Sequence, residues 1–136
     1  MGKKGTITTS DYLSIDEYNR LLLNLERDGE YKWCMFAILS FSLGLRISDV
    51  LQLKWADVYD TDDVMVIEKK TKKKRLIPIG ESVKRVIFRM YKFMGDPNVN
   101  SYVMLNKRKT SPISEQFVNR KLKWLKEKYH LKIGNF

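Results

Sequence analysis

The sequence predicts a mainly α-helical domain interrupted by one small β-hairpin, an α+β chain around a single core. Three observations predict it. Apolar residues recur at helical spacing in several separate stretches, each bounded by capping or breaking residues. Two short apolar runs, Val64 to Ile67 and Leu76 to Ile79, flank a basic segment of turn length. The chain has 136 residues, the length of one domain, and its 43% hydrophobic and 12% aromatic content suffices for a compact fold.

Residues 1–12 are small, polar and basic and read as a loose lead-in; the domain runs from 13 to 136. Ser14-x-x-Glu17 is a capping box, with Leu13 and Tyr18 placed to staple it. The helix it opens carries Ile15, Tyr18, Leu21, Leu22 and Leu25 on one face, and Asp28-Gly29 ends it. A second helix, from about Tyr31 to Leu43, is apolar on nearly all sides and is therefore the central one. Gly44 breaks it, and a short helix starting near Ser48 runs through Leu53, with Trp55 and Val58 closing the core behind it.

Asp57, Asp60, Asp62 and Asp63 form a solvated acidic turn that lacks the glycine and distal glutamate of a calcium loop. In the hairpin, six basic residues lie between Lys69 and Arg75, interrupted only by Thr71; the turn has no glycine to set its type. A third long helix spans about Glu81 to Met94, with Val83, Val86, Ile87, Met90 and Phe93 facing in, and Gly95-Asp96-Pro97 terminates it. Tyr102 to Leu105 is a brief extended piece, followed by the basic loop Asn106 to Lys109. Ser114 caps a last helix to about Tyr129, whose apolar stripe is Phe117, Val118, Leu122, Leu125 and Tyr129.

The net charge of +10, from 26 basic and 16 acidic residues, points to a polyanionic partner, nucleic acid first. No apolar run reaches the ~18 uncharged residues of a membrane span. The lone Cys34 cannot form an internal disulfide and reads as a small core residue in a reducing compartment, so a cytoplasmic place is expected, at the nucleoid if the source is prokaryotic.

One arginine stands where a solvated arginine is not normally placed. Arg46 lies at the turn between two buried helices, on the rim of the core, where a guanidinium is costly unless paired. Asp49 offers a partner, and an internal ion pair pinning the junction is the plainer reading. The sharper reading is that Arg46 is held rigid so that its fork grips a phosphate from outside.

The stretch Gly44-Leu45-Arg46-Ile47-Ser48-Asp49, continued by Leu51-Gln52-Leu53-Lys54-Trp55-Ala56-Asp57-Val58, resembles the first signature of the tyrosine recombinases, the phage integrase family. A second element follows in order, the apolar strand, basic turn and closing strand Val64 to Ile79 with Pro78. The resemblance covers roughly residues 12 to 136. It implies a catalytic domain acting on double-stranded DNA without metal or other cofactor, through a 3′-phosphotyrosine intermediate. In that chemistry arginines hold the scissile phosphate and a hairpin lysine acts as general acid.

Carried over residue by residue, Arg46 matches the first family arginine, and Asp49 an acidic position that supports its turn. Aligning Arg75-Leu76-Ile77-Pro78 with the family's closing strand places Lys70 at the catalytic lysine, with Lys69 and Lys72 as near alternatives. Lys69, Lys72, Lys73, Arg75, Lys107 and Arg108 are the expected DNA contacts. The sequence departs from the family in having no His-x-x-Arg; its only histidine is His130, and none of its seven tyrosines follows such a motif. The expectation is therefore a fragment truncated before that element, holding phosphate-binding residues but no nucleophile and unable alone to cleave DNA. Two other readings stay open: a non-catalytic DNA-binding regulator derived from such an enzyme, and a self-associating interaction module.

Overall fold

The computed structural model describes residues 13–68 and 70–132. In chain order its elements are α1 (Ile15–Arg27), α2 (Tyr31–Ala37) running into a π-helical turn (Ile38–Ser42), α3 (Ile47–Gln52), α4 (Trp55–Val58), β1 (Asp63–Ile67), β2 (Lys74–Pro78), α5 (Glu81–Phe93) and α6 (Glu115–Lys128). The expected lead-in, residues 1–12, and Lys69 lie outside the described residues.

Helix starts follow the chemistry of their caps. Glu17 N–H donates to Ser14 Oγ at 3.1 Å, and Phe117 N–H to Ser114 Oγ at 3.1 Å, so both serines satisfy a free first-turn donor. The two short middle helices reverse the device. Asp49 Oδ2 accepts from Arg46 N–H at 3.2 Å, and Asp57 Oδ2 from Lys54 N–H at 2.8 Å, so an aspartate inside each helix caps the residue before it. Asp57 is thus a capping residue, and Asp62 pairs with Lys84; the acidic turn is less purely solvent-directed than its composition implies.

The core is built around α2. Trp33, Cys34, Met35, Phe36 and Ala37 are all buried, as are Ile38 and Leu39 after them. α1 and α5 pack on this helix, bringing Leu21 and Leu25, and Ile87 and Met90; α6 packs on α3 and adds Val118, Leu122 and Leu125 to the same core. Burial pushes the Cys34 thiol up to about 12, with Glu26 adding to the effect. The segment after α5 straps the α3–α4 junction: Trp55 N–H donates to the Ser101 carbonyl at 3.0 Å, and Val103 N–H to that of Leu53 at 3.0 Å. This extended piece is held by two isolated antiparallel bridges, Lys54–Tyr102 and Leu105–Pro112.

The hairpin pairs β1 and β2 antiparallel, with Val64 opposite Ile77 and Val66 opposite Arg75. Val64 and Val66 are buried, whereas Met65, Ile67 and Leu76 on the other face are 51%, 54% and 64% exposed. The turn closes without glycine. Glu68 N–H donates to the Lys73 carbonyl and Lys72 N–H to that of Glu68, both at 2.9 Å. Lys72 itself takes the left-handed conformation, φ 60°, that glycine usually supplies.

Three residues expected inside are not. Ile15, Phe93 and Phe117 are 79%, 49% and 42% exposed. Ile15 is the first residue of α1. Phe93 lies over Tyr31 and Phe117 stacks on Trp33, so each covers an aromatic edge at the rim.

Candidate functional site

The site is built from the end of the central helix. From Ile38 the helix widens: Leu43 N–H reaches the Ile38 carbonyl at 3.4 Å, and Leu45 N–H that of Leu39 at 3.2 Å. Such wide turns accommodate one residue more than an α-turn and often sit beside functional groups. The turn is tied to α1 by the Tyr18 and Ser42 hydroxyls at 2.5 Å and by the edge of Tyr18 on Phe41. Gly44 then reverses the chain at φ 69°, a conformation that costs a side-chain-bearing residue.

Arg46, two residues on, is the N-cap of α3, so the helix begins at Ile47, one residue before Ser48. Leu45 before Arg46 is buried and Ile47 after it is half-buried, so the backbone on either side is anchored. The Arg46 side chain is exposed. No ion pair within 4.0 Å engages it among the described residues, and Asp49 spends a carboxylate oxygen on the Arg46 backbone N–H. The internal ion pair is therefore not formed. The acid supports the turn, and the guanidinium fork is left free on a fixed backbone.

The basic hairpin residues are presented differently. Lys70, Lys72 and Lys73 occupy the turn and Arg75 the second strand, all exposed. Lys73 N–H donates to Thr71 Oγ1 at 3.3 Å, an internal brace for a loop of like charges. No hydrogen bond or ion pair among the described residues links Arg46 to the hairpin.

Lys107 and Arg108 belong to a third place. They line a cleft of about 900 Å³ between the start of α2 and the start of α6, with Tyr31, Lys32 and Trp33 opposite. Their loop is braced by Asn106, whose Oδ1 accepts from Thr110 N–H at 3.0 Å and whose Nδ2 donates to Ser111 Oγ at 3.1 Å. Lys32, which sequence reasoning passed over inside an apolar run, is half-buried there, and its Nζ donates to the Leu105 carbonyl at 2.5 Å. The signal available was the charge itself, a lysine between Tyr31 and Trp33 where only core residues surround it.

The remaining candidates have structural work. Tyr129 donates to Asp28 Oδ2 at 2.6 Å, and burial followed by this bond pushes its hydroxyl well above the usual tyrosine range. His130 lies just past α6 at φ 53° and is exposed. Among the described residues, no group of three or more His, Cys, Asp and Glu lies close enough to hold a metal ion. No described helix is long and apolar enough to cross a membrane.

This arrangement, a buried central helix ending in an exposed arginine and followed by a basic hairpin, is that of a tyrosine recombinase catalytic domain. The chain covers 94% of itself and 48% of the XerA recombinase crystal structure at TM-score 0.66 and 19% identity. Against lambda integrase, solved bound to DNA, it covers 93% of itself and 46% of that chain at TM-score 0.63 and 19% identity. The phage integrase family model matches residues 11–135, and the chain belongs to that family. A relative in Bacillus subtilis (strain 168), the probable integrase/recombinase YoeC, is 40% identical over 100 residues, which is 74% of this chain and 51% of the relative. The chain thus spans about half the length of the proteins it matches.

Proposed function

We propose that this chain binds duplex DNA by its phosphates and supplies the phosphate-holding part of a strand-exchange site, with residues 13–136 as the first part of the catalytic domain. The observation that carries this reading is Arg46, an exposed guanidinium without an ion-pair partner among the described residues, on a backbone anchored by buried Leu45 and capped by Asp49. An unpaired fork on a rigid turn loses little entropy when it takes a phosphate in a bidentate contact. Family membership supports the assignment, and so does the DNA bound to lambda integrase.

Lys70 is assigned the general-acid role at the leaving 5′-oxygen, with Lys69 and Lys72 as alternatives; Lys70 and Lys72 are exposed and form no ion pair among the described residues. Lys69, Lys72, Lys73, Arg75, Lys107 and Arg108 contribute backbone contacts. No His-x-x-Arg occurs in the 136 residues, so this reading assigns them the phosphate-holding part of the site and no nucleophile. A regulator that occupies recombination sites would fit the same assignment.

The test is duplex binding by fluorescence anisotropy beside thermal unfolding. Arg46→Ala keeps the capped backbone N–H and removes one charge-assisted contact, a class of bond worth about 1.5–3 kcal/mol. Binding therefore weakens roughly ten- to a hundredfold while the melting temperature stays put. Equal binding by the variant would refute the phosphate role; an unfolded variant would return Arg46 to a structural one.

A second reading, self-association, is favoured by the outer hairpin face, where Met65, Ile67 and Leu76 are all more than half exposed. Light scattering across a dilution series tests it, and a monomer at every concentration removes it.

A further inference from the structure

The cleft between α2 and the 106–113 loop has walls whose charges do not cancel. Lys32 stands in this cleft, half-buried, donating to the Leu105 carbonyl and forming no ion pair among the described residues. Lys107 and Arg108 face the same cleft from the loop, and they too form no ion pair among the described residues. The one carboxylate in the lining, Glu30, meets Lys121 Nζ at 2.7 Å as an ion pair, too bent for a directed hydrogen bond, so its charge is already spent.

Holding cations together without a counter-ion is costly. Burial, and next the charge of Lys107, lower the pKa of Lys32, a sign that the two ammoniums repel across this space. The arrangement is nevertheless built to hold. The bond from Lys32 to Leu105 spans 73 residues of sequence, the loop base is closed by Ile113 N–H on the Met104 carbonyl at 2.8 Å, and Asn106 braces its tip.

We infer that Lys32, Lys107 and Arg108 form a second anion clamp, apart from Arg46 and the hairpin, that seats one phosphodiester of the DNA backbone. The inference rests on the DNA-binding reading above and deepens it by naming a contact residue, Lys32, that neither the sequence motif nor the hairpin supplies. A cleft of about 900 Å³ is much too large to enclose one small anion, whereas a phosphate carried on a long polymer needs only one charged wall. Such a contact fixes where the duplex lies and reads no base.

The experiment measures duplex affinity against salt for the wild type, Lys32→Gln, Lys32→Arg, Lys107→Gln and the Lys32→Gln/Lys107→Gln double variant. Each phosphate contact contributes about one unit to the slope of log affinity against log salt. Lys32→Gln is expected to bind several-fold more weakly with a slope shallower by about one, and Lys32→Arg to keep the wild-type slope. The double variant should lose less than the product of the two single losses, because both cations act on one phosphate. Lys107→Gln, on an exposed loop, gives the same readout should Lys32→Gln not fold.

Wild-type slope and affinity in Lys32→Gln or, if that variant is unfolded, in Lys107→Gln would overturn the clamp while leaving duplex binding intact. A wild type that binds no duplex would overturn the DNA-binding reading and the clamp together. Inorganic phosphate that competes as well as duplex would overturn the polymer as occupant.

Discussion

Asp49→Ala separates the two roles the Arg46 turn could have. In the wild type Asp49 Oδ2 accepts from Arg46 N–H at 3.2 Å, the cap of a helix of six residues. A helix that short has no stability of its own and is held by its buried residues, Val50 and Leu51. Losing a cap acceptor costs about 0.5–2 kcal/mol. Arg46 is exposed, so water can replace the carboxylate, and the loss falls at the lower end, about 0.5–1 kcal/mol.

For a domain of this size that lowers the melting temperature by about 2–4 °C, read by circular dichroism. Asp49→Asn keeps an oxygen acceptor and should recover most of the loss. Duplex binding supplies the second axis. Asp49→Ala removes a negative charge near the arginine, which alone would strengthen phosphate binding, but it also loosens the turn. Binding should weaken on balance, because the fork is useful only while its backbone is fixed. A loss of about 3 kcal/mol or more in Asp49→Ala would refute this reasoning, since that magnitude belongs to breaking a buried ion pair.

Other consequences follow from burial, charge and backbone. Met104 is fully buried between the strap and the core, so Met104→Ala should cost about 2–5 kcal/mol in urea unfolding. The Arg27 guanidinium, then the Tyr129 hydroxyl, hold Asp28 well below its ordinary value of 3.8. A depressed carboxylate contributes stability that is present above its unfolded pKa and lost as pH falls through the folded one. Unfolding midpoints should therefore drop on acidification below about pH 4, and Asp28→Asn should flatten that limb. Gly44→Ala meets open space but must hold φ 69°, which should cost about 1–2 kcal/mol. The Cys34 thiol, raised to about 12 and fully buried, should react with a thiol reagent only as fast as the chain opens, which stopped-flow labelling in mild denaturant would show.

How far the sequence could be read depended on whether a feature was local. The serine caps at Ser14 and Ser114 and the left-handed turn at Gly29 are decided by a few adjacent residues, and each was legible. The π-turn was not. Ile38 to Ser42 suit an α-helix equally well, and the wider turn depends on Tyr18 reaching Ser42 from another helix. Phe93 and Phe117 matched the helical period of the core, yet the period does not say where the next element stops; each ends at the rim against an aromatic neighbour.

For the site, the motif put Arg46 at a turn with Asp49 three residues on, and in the structure the Arg46 N–H donates to Asp49 Oδ2. The motif could not say whether the acid met the side chain or the backbone, a choice made by one rotamer. Lys32 was hidden because its partner, Leu105, is far away in sequence, and only the folded chain brings the two together.

If this chain grips DNA by its phosphates, duplex affinity must depend on salt, and a titration series across salt concentrations is the decisive measurement. The predicted result is a linear fall of log affinity with log salt, steep enough for several phosphate contacts, and flattened when Lys70, Lys72 and Lys73 are each reversed to glutamate. Affinity that ignored salt, or that survived those three reversals unchanged, would contradict it.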